Sequence, residues 1–122
     1  MEFLTEANFR DFVNPGVVSR QLLSPHNSRS SRVTITHVTV EPGGSQPRHA
    51  HPASEQIWIA LSGEGMLLLD QDETLPFRAG QVVRFEEGDV HGLQVTGAMP
   101  FIYMSVTSPP LDFSDIYESE QQ

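Results

Sequence analysis

Gly43-Gly44-Ser45-Gln46-Pro47-Arg48-His49-Ala50-His51-Pro52-Ala53-Ser54-Glu55-Gln56 is the stretch on which the reading of this chain turns. Side chains on an extended segment alternate between faces, so His49 and His51, one residue apart, point to the same side. A Glu or Gln four or five residues on, at Glu55 or Gln56, adds an oxygen donor, and a distant histidine, His91 in Gly88-Asp89-Val90-His91, adds a further nitrogen. Metal-capable atoms from two separate segments can thus converge.

Outward from this stretch the chain reads as short strands. Residues 32–41 are the clearest, dense in β-branched side chains and ended by Pro42-Gly43-Gly44, with His37 on the face of Val33 and Ile35. Residues 56–61 and 66–70 flank a turn at Ser62-Gly63-Glu64-Gly65 as a hairpin, and 74–78, interrupted by Pro76, suits a sheet edge. With 17–23, 81–85, 92–96 and 100–106 the series comes to about eight strands, which predicts an all-β sandwich or barrel. Residues 3–13 could form about two helical turns with Thr5 as N-cap, stopped by Asn14-Pro15-Gly16, giving a short N-terminal lid or arm. Residues 24–31 are loop by composition. After a core of about 17–106, residues 107–122 form an acidic tail whose bulky groups are Phe113, Ile116 and Tyr117; it either packs across a neighbouring subunit or is loosely held.

A chain of 122 residues with 38% apolar content is expected to be a single domain, 1–122, with a core of its own. The absence of cysteine excludes disulfides, thiolate metal sites and thiol nucleophiles. Every basic residue is Arg, so Schiff-base chemistry on a lysine is excluded as well. A net charge of −9 argues against nucleic acid and anionic membranes as partners. No segment has the basic start and apolar run of a signal peptide or the length of a bilayer span, so a cytoplasmic protein is the expectation.

The spacing resembles that of the cupins, small jelly rolls (double-stranded β-helices) in which two sequence motifs supply metal ligands. Gly43, His49, His51 and Gly63 match the first motif, which puts Gln56 where Glu is usual; Gly80, Gly88 and His91 match the second, with Glu86 in place of its proline and Val95 in place of its asparagine. The likeness extends over roughly residues 30 to 106. Counting forward from His51 selects Glu55, whereas counting back from Gly63 selects Gln56; the latter keeps the whole motif in register and is favoured, with Glu55 in reserve.

The resemblance implies a metal set of His49, His51, Gln56 and His91 around one divalent transition metal: manganese, iron, nickel or zinc. Neutral imidazoles and an amide oxygen would leave the ion its full charge and open positions for a ligand. Some cupins with this Gln variant resemble sugar-acid enzymes that ketonise unsaturated uronates in pectin and alginate breakdown. The implied function is Lewis-acid isomerisation of a small oxygen-rich sugar acid or carbonyl compound, with a non-catalytic small-ligand sensor and an iron-dependent dioxygenase as alternatives. Tyr103, His37, Glu55 and Asp89 are candidate acids or bases. Arg48 and Arg84 are candidates to grip a carboxylate, and Trp58 and Phe101 are either barrel lining or substrate-stacking groups. Edge strands of a small jelly roll need cover, so a homodimer that swaps 17–23 is expected.

Overall fold

The computed structural model describes residues 1–111, so the tail residues Phe113, Ile116 and Tyr117 lie outside the described part. Ten strands form two antiparallel sheets: β1 (Arg10–Asn14), β2 (Val17–Leu23), β3 (Thr34–Val40), β4 (Ser45–His49), β5 (Glu55–Ser62), β6 (Glu64–Leu69), β7 (Thr74–Arg78), β8 (Val82–Phe85), β9 (His91–Val95) and β10 (Phe101–Ser108). One sheet runs β1-β2-β3-β10-β5-β8 and the other β4-β9-β6-β7. A single apolar cluster, with Val40, Trp58 and Phe101 from the first sheet and Leu67, Phe77 and Leu93 from the second, joins them into an all-β jelly roll.

The register sorts the interior by chemistry along the barrel. Across the larger sheet the inward residues form rows: Val17, Val40 and Phe101; then Ser19, Val38, Tyr103 and Ala60; then Gln21, Thr36, Ser105 and Trp58; then Thr34, Thr107, Gln56 and Phe85. All are buried. The first row is wholly apolar and the last two are mostly polar. The smaller sheet follows the same gradient, from Val95, Gly65 and Phe77, through Leu93 and Leu67, to His49 and His91.

Two expectations are corrected. Residues 3–13 are not a helical arm: a 3-10 turn at Glu6–Asn8 is followed by β1, which pairs residue by residue with β2. A helix of this length is marginal without a packed face, whereas Gly16 at φ +76° closes a hairpin and Arg20 clasps Asp11 across it at 2.8 Å. Strand β2 is in turn no free edge, since β1 and β3 cover both its sides within the chain; the edges of that sheet are β1 and β8. No described helix is long and apolar enough to cross a membrane.

Candidate metal centre

Strands β4 and β9 bring the first histidines together. Gln46 faces Leu93 and His49 faces His91, so three steps on β4 match two on β9 and the extra residue forms a bulge. Gly92 lies against that bulge, where a Cβ would stand 2.7 Å from the Gln46 carbonyl oxygen and 3.0 Å from the Arg48 nitrogen. No other residue type fits there without moving β4. His51 follows just past β4, its carbonyl accepting a 2.9 Å hydrogen bond from the N–H of Gly88, whose φ of +84° closes the turn before His91. One ring nitrogen from each of His49, His51 and His91 lies within 4.8 Å of the others.

Hydrogen bonds decide which nitrogens face the centre. A carbonyl oxygen only accepts, so the 2.8 Å contact of His49 Nδ1 with the Pro47 carbonyl and the 2.9 Å contact of His91 Nδ1 with the Asp89 carbonyl put the protons on Nδ1. Both Nε2 atoms are left with bare lone pairs. His51 Nε2 is buried with no protein partner. On the facing sheet, Gln56 donates through Nε2 to Thr107 Oγ1 at 2.9 Å and accepts at Oε1 from the Trp58 indole N–H at 2.9 Å. Indole nitrogen can only donate, which fixes the amide orientation. Gln56 Oε1 and His91 Nε2 therefore face each other at 3.1 Å as two acceptors with no proton between them.

Such a contact is repulsive unless a cation shares it. Ligand atoms bonded to a transition-metal ion at about 2.1 Å and near right angles stand about 3 Å apart, so the pair has the spacing of two donors to one ion. Burial also keeps the imidazoles neutral. It lowers the pKa of His49, takes that of His51 down to about 4 with His49 contributing, and takes that of His91 down to about 3, again with His49 contributing. His91 is held in place by Phe85, stacked at 4.2 Å, and by Trp58, edge-on at 5.4 Å. A neutral imidazole triad, two of its rings oriented by backbone carbonyls, with an amide oxygen beside it is a donor set suited to a divalent transition metal.

Several sequence candidates fall elsewhere. Glu55, one residue from Gln56, faces outward toward Arg84 at 3.9 Å, because alternation along β5 sends the two neighbours to opposite faces. Arg84 itself is half-exposed and bonded to Glu86 at 2.9 Å. The Arg48 guanidinium is spent on the carbonyls of Leu69, at 2.6 Å, and Glu73. His37 lies on the outer face of β3, lining a groove with Val18, Arg20 and Thr39. The Asp89 carboxylate caps its own turn by accepting from the Glu86 N–H at 2.8 Å. Trp58 and Phe101, at 2% and 0% exposure, are core rather than stacking platforms, although Trp58 orients Gln56 from there. Of the acid-base candidates only Tyr103 faces inward, its hydroxyl donating to Gln46 Oε1.

Sequence reading missed the interior hydroxyls and amides, Gln21, Thr34, Thr36, Ser105 and Thr107. The alternation in Thr34-Ile35-Thr36-His37-Val38-Thr39-Val40 is the available signal, but it offers β-branched residues to both faces and does not say which is inside.

Comparison with known proteins agrees with this geometry. The family model described as Cupin domain matches residues 36–107. An uncharacterized protein of Methanocaldococcus jannaschii is 25% identical over 100 residues, covering 82% of this chain and 79% of its own. An oxalate-binding protein of Thermotoga maritima is 27% identical over 85 residues, covering 70% and 69%. Among solved structures, KdgF from Halomonas sp. superposes with a TM-score of 0.75 at 18% identity, covering 91% of this chain and 97% of its own, a likeness of fold.

Proposed function

We propose, from the premise that the chain belongs to the cupin domain family, that it binds one divalent transition metal through His49, His51, His91 and Gln56 and acts as a Lewis-acid isomerase on a small oxygen-rich acid. The observation that carries the reading is the 3.1 Å approach of two lone-pair atoms, Gln56 Oε1 and His91 Nε2, beside the histidine triad. When bound, the metal would polarise a substrate oxygen. The chain's own part is to hold the donors: Pro47 and Asp89 carbonyls fix two imidazoles, and Trp58 and Thr107 fix the amide.

All these donors are neutral, and among the described residues the buried polar set contains no Asp, Glu or Arg. An ion held there keeps its positive charge, which favours an anionic ligand without any arginine clamp. Of the acid-base candidates Tyr103 is the one that faces inward, its hydroxyl donating to Gln46 Oε1, and the proton-transfer role is assigned to it in this reading. The same lack of an interior carboxylate favours a second reading, a small-anion binding module, toward which the likeness to an oxalate-binding protein also leans.

Elemental analysis of untagged protein is expected to find about one transition-metal ion per chain, and His91→Ala to lower metal affinity at least about 100-fold. Wild-type protein that takes up no manganese, iron, nickel or zinc would sink the proposal. Metal-dependent conversion of an unsaturated uronate selects the enzyme; tight anion binding with no conversion of uronates or small diketones selects the binding module. We also propose a homodimer. The outer face of the larger sheet carries Ile35, Ile57, Ile59, Ile102, Met104 and Val106, half-buried, and a second copy would cover it. Light scattering at a mass near 13.6 kDa would refute the dimer.

A further inference from the structure

His49 stands on a loosely paired strand. β4 is an edge of the smaller sheet, and its pairing with β9 is interrupted between Gln46 and His49. Pro47, inside that gap, has no N–H to give to a ladder. Backbone pairing alone is therefore a weak hold on a ligand placed just after a bulge and a proline.

Arg48 supplies a second attachment. Its Nε donates to the Leu69 carbonyl at 2.6 Å and its Nη2 to the Glu73 carbonyl at 3.4 Å, with the Asp72 carboxylate 4.0 Å from Nη1. Leu69 ends β6, and β9 lies between β4 and β6, so this side chain spans the strand that carries His91. β9 is bare at the crossing: a Cβ on Gly92 would stand 3.0 Å from the Arg48 backbone nitrogen. His91 pairs with His49 on one side and with Leu69 on the other. Arg48 thus ties together, at the level of His91, the two strands that flank it.

The anchor is itself a constrained turn. Gln71 and Asp72, at φ 56° and 60°, are consecutive left-handed residues in the 70–73 turn, where a hairpin ordinarily takes Asn-Gly. The guanidinium bonds the carbonyls on both shoulders of that turn, which a planar fork of donors can do and an ammonium point charge cannot.

We infer that Arg48 is a positioning residue of the metal centre, a strap across β9 that holds the β4 bulge, and through it His49, in register with His91. The inference rests on the metal-centred reading above. It gives the arginine a role without contact with metal or substrate, in place of a grip on a carboxylate.

Arg48→Met tests it, since methionine keeps a flexible apolar stem and removes the donors. Zinc affinity by competition against a chelator, the visible spectrum of cobalt-loaded protein and thermal unfolding would be measured in wild-type, His49→Ala and His51→Ala backgrounds. The expected result is at least a tenfold loss of zinc affinity in the wild-type and His51→Ala backgrounds, little further loss in His49→Ala, and an altered cobalt spectrum. Arg48→Lys should recover part of the affinity. Unchanged zinc affinity overturns the inference, whatever the melting temperature does. An equal loss in all three backgrounds also overturns it, as a general loosening of the fold. Zinc retained with oxalate binding lost overturns it in favour of a carboxylate grip. Wild-type protein that takes up neither zinc nor cobalt fails the underlying reading instead, and is distinguishable because it needs no substitution. Should Arg48→Met not hold its fold, Arg48→Lys carries the same comparison across the three backgrounds.

Discussion

The two ends of this barrel share strands, register and connectivity but are built to different rules. At one end Val17, Val40, Phe101, Phe77 and Val95 close on each other, with Phe77 and Phe101 at 5.6 Å between ring centres. At the other, six residues along β3 and β10 and four along β9, Thr34, Thr107 and His91 face inward, with Gln56 paired to Thr107 and His49 to His91. Area burial drives folding at the first end. The second buries polar atoms, some without partners, and so subtracts from stability. The proposed metal centre thus sits at the polar end, on strands whose other end is packed into the apolar cluster.

The sharpest way to break that division is to hollow the closed end. Phe101→Ala removes a wholly buried ring that touches Phe77 and Tyr103, and should cost about 3–5 kcal/mol of stability. Metal stoichiometry should stay at its wild-type value below the lowered melting temperature, because no donor lies in that row. Loss of metal from still-folded protein, measured by circular dichroism and elemental analysis on one sample, would mean that the ends are coupled and the division is false.

A weaker effect should come from acid. In the unfolded chain the histidines take up protons below their ordinary pKa of 6.5, whereas folded His51 and His91 resist protonation until about 4 and about 3. Between each folded value and 6.5 the unfolded state binds more protons, so the triad's contribution to the stability of the metal-free protein is complete above 6.5 and is lost as pH falls from there toward about 3. Urea midpoints across that window should decline, and should flatten when His49, His51 and His91 are all replaced by Gln. A slope that survives the triple exchange would place the acid sensitivity outside the triad.

The two ends also differed in how far they could be read from residues. Glycine and proline turns with β-branched runs mark the jelly roll, and the spacing of His49, His51 and His91 marks the centre. The inward face of β3 was not legible, because Ile35 and His37 look as suitable for a core as Thr36 and Val38 do. What decides is tertiary: Ile35 lies on the outer face of the larger sheet, while Thr34 and Thr36 face the polar end. Strand β1 was hidden likewise, since Arg10-Asp11-Phe12-Val13 has no strong period of its own and depends on β2 for its hydrogen bonds.

The smallest effect tests the finest distinction, the single-residue choice between Glu55 and Gln56. Alternation on β5 turns Gln56 inward to Trp58 and Thr107 and leaves Glu55 outside, 3.9 Å from Arg84 in a half-exposed pair. Exposed pairs of this kind contribute little, because water already solvates both charges. Glu55→Gln and Arg84→Ala should each change stability by less than about 0.5 kcal/mol and leave metal affinity unaltered. Gln56→Leu, by contrast, removes both the acceptor for the Trp58 indole and the oxygen facing His91, and should weaken metal binding at least about tenfold. Competition against a chelator would measure all three. If Glu55→Gln lost the metal and Gln56→Leu kept it, the strand would have to be turned over in solution, and every inward residue assigned to the polar end would move to the outer face with it.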